Sequence, residues 1–457
     1  MMDMSVADVC AVLAIACPAE AGSRLCRGVS TDTRNIKPGD LYIALKGERF
    51  NGNLFANQAL AQGAVAAIVD EEVAADSITS DGVVLRVDDA LLALGQIAGW
   101  QRQRFSGTVL AVTGSCGKTS VKQLLAHVLG ESVDVWMTPG NLNNHIGVPL
   151  TLLGLESNHD MAVIEQGASG AGEIAYTGQW VTPEIGIITN ASESHLSGFG
   201  SLATIVETKG EIIDSVSPDG SVVLNRDDPA FDIWKQRVGG RKLITFGLNP
   251  NADVVAIDIE VTLQGSRFVL VIDDRKLTAS LPLPGLHNVC NALAVIAAAT
   301  AAGLSPETIV SALATASSVS GRMAEKNGVR GMVLLDDSYN ANPASLRAAI
   351  DVITVAPDAW LAIGDMAELG EDAEIAHADI GRYAQQKGVS VLLATGPLSF
   401  HAVDAFGSSG AHWFEDHAAL VAFVNQNAPD GTLLLIKGSR SAGMDTVVRA
   451  LQKDPEE

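Results

Sequence analysis

The stretch Thr113-Gly114-Ser115-Cys116-Gly117-Lys118-Thr119 lies between the apolar run Val109 to Val112 and the apolar-periodic stretch Val121 to Leu129. Strand, glycine loop and helix in that order gather successive backbone N–H groups and a helix N-terminus around one point, the arrangement that binds phosphate. Gly114, Ser115, Cys116 and Gly117 then contribute backbone to the cradle, Lys118 a positive charge near the outer phosphates, and Thr119 a hydroxyl ligand for magnesium. The longer P-loop pattern has a further glycine where this chain has Val112, so the match is to a shortened Gly-x-x-Gly-Lys-Thr form. An ordinary glycine turn between strand and helix is the competing reading. Cys116 reads as a small residue that fits the loop, because amide cradling of a phosphate needs no thiol.

With 457 residues and 47% hydrophobic content, the chain can build about three domains of roughly 150 residues, each with its own core. Thirty Lys plus Arg against 53 Asp plus Glu give a formal charge of -23. That balance disfavours nucleic acid and anionic membranes as partners, while a local basic pocket for a small anion remains open. The five cysteines, without a Cys-x-x-Cys, fit reduced thiols in a cytoplasmic protein. Asp3 and Asp8 precede the N-terminal apolar patch, the reverse of a signal peptide's charge pattern. The longest apolar run, Val289 to Leu304, is broken by Asn291 and shorter than the roughly 20 residues of a membrane span; it is expected to be a buried helix.

The alternation of apolar strand-length runs with helical periodicity predicts an α/β protein of three domains, 1–85, 86–317 and 318–457. The first is a small α/β domain, with strands at Leu41 to Leu45 and Ala64 to Val69. Its polar loops carry Asp32, Thr33, Arg34 and Lys46, which read equally as an anion site or as two solvated turns. The second is a P-loop domain with a mostly parallel sheet, opening near a helix from Ala90 to Arg104 and ending in a hairpin or meander over residues 252–280. Glu165, Asn190 and His195 fall at or just after the carboxyl ends of its strands, where ligands of parallel sheets gather. Glu165 is a candidate magnesium carboxylate; His195, taken alone, reads more readily as structural. Lys209, between Glu207 and Glu211 on a helical stretch, reads by itself as a solvated surface lysine. Asn288 and Asn291 open a small-residue helix and suit amide contacts to a flat heterocycle, with capping by Asn288 as the alternative. The third domain is Rossmann-like without the dinucleotide glycine fingerprint, and places Asp336 to Pro343, Gly364 to Gly370 and Lys437 to Arg440 at strand ends.

Taken together, Thr113 to Thr119, Glu165, Asn190 with His195, Lys209, the His287-Asn288-x-x-Asn291 helix start, Gly321-Arg322, Asp337 to Pro343 and Lys437 to Arg440 make the whole chain resemble the Mur ligase family. These are ATP-dependent amide-forming enzymes that build the peptide stem of the bacterial cell-wall precursor. Within that family, the loops around Asp32-Thr33-Arg34 and Lys46, the stretch Asn141 to Pro149 with Asn143 and Asn144, and Asp336 to Pro343 with Asn342 are similar to those of the branch that adds D-alanyl-D-alanine to UDP-N-acetylmuramoyl-tripeptide. The Asp-Asn-Pro-Arg sequence of the meso-diaminopimelate-adding branch does not occur.

The resemblance implies ATP and Mg2+ as cofactors, those two substrates as partners, a cytoplasmic monomer, and a first domain that holds the UDP-substrate. It implies that Lys118 works on the phosphates and that Thr119 and Glu165 hold one magnesium. It also implies that Lys209 is carbamylated and, with His195, serves a second metal, reversing the residue-level reading of both. Asn291 would face adenine, Arg322 the phosphates, and Asp337, Tyr339 and Asn340 the nucleotide from the third domain. Asn51-Gly52-Asn53 stands where many relatives have Asp-Gly-His, so the uridine contacts of that loop differ. The competing expectations are a sister ligase that adds a diamino acid or extends folate with glutamate, and a nucleotide-gated binding protein that makes no amide.

Overall fold

A computed structural model describes residues 3–47, 49–72, 82–193, 196–407 and 409–453. Three sheets carry the architecture, with a two-stranded ribbon at the N-terminus. The first sheet is parallel and runs Gly28–Ser30, Asp40–Ile43, Ala66–Val69, Val83–Arg86 in spatial order. The helix Ala90–Arg104 follows it, starting at the side-chain cap of Asp89 on the Leu92 N–H. Ala90, Ala93, Leu94 and Ile97 of that helix enter the first core, whereas Ala98 and Phe105 enter the next. Two cores thus share one helix.

The second sheet has nine strands. Val135–Met137 forms one edge, followed by Met161–Glu165, Thr108–Thr113, Ile185–Ile188, Ser221–Asn225, Lys242–Gly247 and Val254–Thr262, all parallel. Gly265–Ile272 and Arg275–Leu281 then add as an antiparallel meander. The strand Thr108–Thr113 explains the continuous apolar run in the sequence: Leu110 and Val112 point into one core, Val109 and Ala111 into the core on the opposite face, and all four are fully buried. Later strands add on both sides of it, so the loop at its carboxyl end opens at the topological switch point of the sheet. Register does the rest. Glu165 pairs opposite Val112 and Ile188 opposite Thr113, which brings Glu165 and Thr189 to either flank of the glycine loop.

The small-residue helix is Leu286–Ala301, and eleven of its residues are buried, Asn288 and Asn291 among them, as the long apolar run predicts. The helix Pro306–Leu313 leads out of this region. The third sheet runs Ala324–Asn327, Val333–Asp337, Leu433–Lys437, Trp360–Gly364, Val391–Thr395, Ala411–Phe414, parallel except for its first strand. No helix among the described residues is long and apolar enough to cross a membrane.

The helix Leu202–Ser215, capped by Ser201 on the Thr204 N–H, is fixed by Trp234, which is fully buried and donates its indole N–H to the Val206 carbonyl at 2.9 Å. Trp234→Ala is expected to cost about 3–5 kcal/mol through the cavity it leaves. The measurement is the guanidinium midpoint of the central-domain transition by circular dichroism, which falls in the variant while the third domain's transition does not move.

Candidate active site between the central and third domains

A cleft of about 980 Å³ opens between the second and third sheets, and its walls include Ser115 to Ser120, Asn143, Glu165, Asn291, Arg322, Asp337, Tyr339 to Asn342 and Arg440. The glycine loop forms its floor. Gly117 is the N-cap of the helix Lys118–Gly130, at φ +84°, and no side chain caps that helix. Its first N–H groups therefore face the cleft with the positive end of the helix dipole behind them. A Cβ at Gly117 would lie 2.4 Å from Asn291 Oδ1, and one at Gly114 (φ +148°) 1.9 Å from Thr189 Oγ1, so both glycines are required by conformation and by close approach.

The loop is held from behind by the adjacent strand end. Ser115 N–H donates to the Asn190 carbonyl (3.0 Å) and Cys116 N–H to Asn190 Oδ1 (2.9 Å), while Thr189 Oγ1 donates to the Cys116 carbonyl (2.6 Å). Asn190 thus shapes the loop. The Lys118 ammonium folds back on the Gly114 and Ser115 carbonyls at 2.6 and 3.2 Å, and burial pushes it below the ordinary lysine value against the opposing pull of Glu165.

Glu165 is buried, 1% exposed. Its Oε1 accepts from Thr119 Oγ1 at 3.0 Å and from Asn143 Nδ2 at 2.8 Å; its Oε2 lies 3.2 Å from the ammonium of Lys122, which is wholly buried. The sequence reading missed Lys122. A signal was available, since Lys118, Lys122, Leu125 and Leu129 follow helical spacing and the two leucines are buried, so a lysine in that stripe needs an internal partner.

Lys209 is the clearest correction. It is 1% exposed, with its ammonium 5.3 Å from the Phe199 ring centroid, and burial followed by the nearby Lys118 charge lowers its pKa from 10.5 to about 7. The surface reading counted sequence neighbours, but the helix turns Lys209 inward while Glu211 turns out to accept from the Gly172 and Ala175 N–H groups. His195 lies outside the described residues.

The third domain supplies the opposite wall. Arg322 stacks on the Tyr339 ring at 4.2 Å, with its Nη2 3.4 Å from Thr119 Oγ1, and Arg440 lies 5.8 Å from the centre of the same ring. Asp337 is paired with the buried Lys437 at 2.6 Å and also accepts from the Met323 N–H, and Lys437 donates to the Asn340 carbonyl at 2.8 Å. Asn342 caps the helix Pro343–Ile353 through Ser345 N–H and donates its amide to Cys116 Sγ at 3.2 Å, bridging the two domains at the loop. Asn291 is nearly buried and donates to Asn288 Oδ1. Asn288 donates to the Pro284 carbonyl and Gly285 occupies the N-cap, so capping does not explain Asn288. Asn144 closes its own turn on the Ile146 and Gly147 N–H groups, at the rim of the same cleft. Asp32, Thr33, Arg34 and Lys46 are apart from these: Asp32 caps the short turn Thr33–Asn35 and pairs with Arg34 at 2.6 Å, and Lys46 pairs with Glu71 at 2.9 Å on the first domain. None of the four lines the cleft.

Among the described residues no three His, Cys, Asp or Glu cluster as a ready-made metal site. A hydroxyl and one carboxylate oxygen 3.0 Å apart, beside an uncapped helix N-terminus, instead suit magnesium, which binds through one or two carboxylates and takes its remaining ligands from phosphates and water.

Three family models cover the chain: the Mur ligase family catalytic domain over 26–101, the Mur ligase middle domain over 112–299, and the Mur ligase glutamate ligase domain over 321–440. UDP-N-acetylmuramoyl-tripeptide--D-alanyl-D-alanine ligase of Escherichia coli (strain K12) is 41% identical over 430 residues, covering 93% of this chain and 94% of that protein. A crystal structure of MurF from Acinetobacter baumannii superposes with a TM-score of 0.91 at 31% identity, over 98% of both chains. MurF ligase from Thermotoga maritima in complex with ADP does so at 0.84 and 26%, over 93% of this chain and 97% of that one. Matched end to end in sequence and in fold, the chain belongs to the Mur ligase family.

Proposed function

We propose that this protein joins D-alanyl-D-alanine to UDP-N-acetylmuramoyl-tripeptide in the cytoplasm, converting ATP to ADP and phosphate. One observation carries the reading: a chain alike over its length to ligases of that name presents, in one cleft, an uncapped phosphate loop, a buried carboxylate beside Thr119, and cations from both domains. The γ-phosphoryl group of ATP passes to the terminal carboxylate of the tripeptide, giving an acyl phosphate and ADP. The dipeptide amine then adds to the acyl carbon, and the tetrahedral intermediate expels inorganic phosphate as the amide forms.

No covalent nucleophile is required of the protein, so catalysis rests on positioning and on neutralising charge. The N–H groups opening the helix Lys118–Gly130 hold the phosphates. Lys118 exchanges its loop carbonyls for the outer phosphate oxygens, and Arg322 reaches the same place from the third domain. Thr119 and Glu165 would hold a magnesium ion, which when bound would supply charge neutralisation for the phosphate oxygens. Burial keeps much of Lys209 as the neutral amine near pH 7; its nitrogen adds to carbon dioxide, loses a proton and becomes a carbamate, turning a repelling cation into an anionic ligand. His195 would serve a second metal. Asn291 holds the base, with Asp337, Tyr339 and Asn340 closing over the nucleotide. Asn143, Asn144 and Asn342 take the peptide end of the substrate, and Asp32, Thr33, Arg34 and Lys46 its UDP end, 1–85 being the domain that holds it, 86–317 the ATP domain and 318–457 the closing domain. The working unit in this reading is a monomer.

Phosphate release is expected to need both UDP-tripeptide and D-alanyl-D-alanine; release driven by meso-diaminopimelate or by a folate with glutamate would overturn the assignment. Lys118→Ala lowers turnover by a factor of about 100 or more, as removal of one electrostatic stabiliser does, with an unchanged circular dichroism spectrum. Lys209→Ala is inactive and regains part of its rate with added short carboxylic acids, measured as phosphate release against acetate or formate concentration. In carbonate-free buffer, Lys209 binds its proton less well folded than unfolded between pH about 7 and 10.5, so its burial penalty is fully present below that window and relieved as pH rises through it. Lys209→Met is therefore more stable than the wild type at pH 7, and denaturant titrations show the gap closing towards pH 10.5.

A further inference from the structure

Lys122 lies one turn beyond Lys118 on the same helix and is wholly buried. Its ammonium stands 3.0 Å from the Thr138 carbonyl oxygen, 2.7 Å from that of Gly140 and 3.2 Å from Glu165 Oε2. Removing a lysine from water costs several kcal/mol unless its three N–H bonds and its charge are answered. Here the answers come from two other elements, the turn after the strand Val135–Met137 and the carboxyl end of the strand Met161–Glu165.

The two oxygens of Glu165 consequently have separate surroundings. Among the described residues Oε2 accepts no hydrogen bond, and the Lys122 charge compensates it. Oε1 turns the other way, to the Thr119 hydroxyl and the Asn143 amide. Asn143 belongs to the turn whose earlier carbonyls Lys122 also holds, and the Glu165 N–H donates to Thr138 Oγ1 at 2.9 Å, tying strand and turn together behind the carboxylate. A cation that only filled a gap in the core would not need to join the glycine-loop helix, the Asn143 turn and one chosen oxygen of Glu165.

We infer that Lys122 is a positioning residue: it pins Glu165 Oε2 and the turn of Thr138 to Asn144 so that Oε1 is presented beside Thr119 to the divalent cation that accompanies the nucleotide. This rests on Glu165 being a metal ligand in the proposed reaction. Asn143 then acts as a second restraint on the same oxygen. Lys122 is not among the residues that line the cleft, so its effect is on metal affinity first and on rate through it.

The test is a double-mutant cycle of Lys122→Met and Glu165→Gln, read as Mn2+ bound in the presence of saturating ADP by electron paramagnetic resonance. Lys122→Met is expected to weaken Mn2+ binding by about tenfold or more, in the range of lost ligand-orienting partners. ADP binding without metal is expected to stay at the wild-type level. In the Glu165→Gln background the same change is expected to have no further effect, because the carboxylate it orients is gone. Wild-type Mn2+ affinity in folded Lys122→Met, or losses that simply add in the double variant, would overturn the role of Lys122 while leaving Glu165 as a ligand. Unchanged affinity in Glu165→Gln would overturn the metal assignment and this inference with it. If Lys122→Met does not fold, Lys122→Gln, which keeps an amide donor for the two carbonyls without the charge, takes its place under the same outcomes.

Discussion

The cleft depends on a helix that begins without a cap. Several helices here close their first turn on a side chain, as Ser5, Asp89, Ser201 and Ser305 do, but Lys118–Gly130 starts at Gly117 with nothing of the kind. Its orphan N–H groups keep their partial positive charge for a ligand. The exposed end is tolerable because the loop before it is braced elsewhere, by Thr189 and Asn190 on the neighbouring strand and by Ser115 and Ser192 bonding each other. Parallel register sets which residues do this work, since the strands flanking Thr108–Thr113 end level with it.

Around that end the chain, at a formal -23, concentrates buried cations, and it keeps three lysines dry in three ways. Lys122 shares the carboxylate of Glu165 and two carbonyls. Lys437 takes Asp337 at 2.6 Å and fastens the strand Leu433–Lys437 to Val333–Asp337 where the third domain faces the nucleotide loop. Lys209 lies over the Phe199 ring, and its environment lowers its proton affinity. The first two each face a carboxylate within 3.2 Å; the third lies over an aromatic ring and is left reactive. That difference separates residues that hold the site from the one whose chemistry the site changes.

Much of this was legible in the chain. The P-loop, the sequence of parallel strands and the buried small-residue helix follow from apolar runs and their spacing, because a strand buried on both faces cannot hide its composition. Glu165 and Asn190 were found because strand ends are where a parallel sheet exposes polar groups. What escaped was decided across the sheet. Lys122 meets Glu165 through strand register and a turn, neither visible along one helix. Lys209 looked solvated when read from its neighbours Glu207 and Glu211 alone, and only the family resemblance reversed that, since residues two apart on a helix point to different sides. Asn342 was expected at the substrate, and the structure also gives it a helix cap and a contact with Cys116 across the domain boundary.

The cleft serves phosphoryl transfer to the substrate's own carboxylate rather than to water or to the protein. If the terminal carboxylate of UDP-N-acetylmuramoyl-tripeptide carries 18O, formation and collapse of an acyl phosphate send one of its oxygens into each inorganic phosphate released. Mass spectrometry of the phosphate after one turnover with ATP and D-alanyl-D-alanine is predicted to find that single label. Unlabelled phosphate alongside normal amide product would contradict the mechanism and the purpose assigned to the cleft.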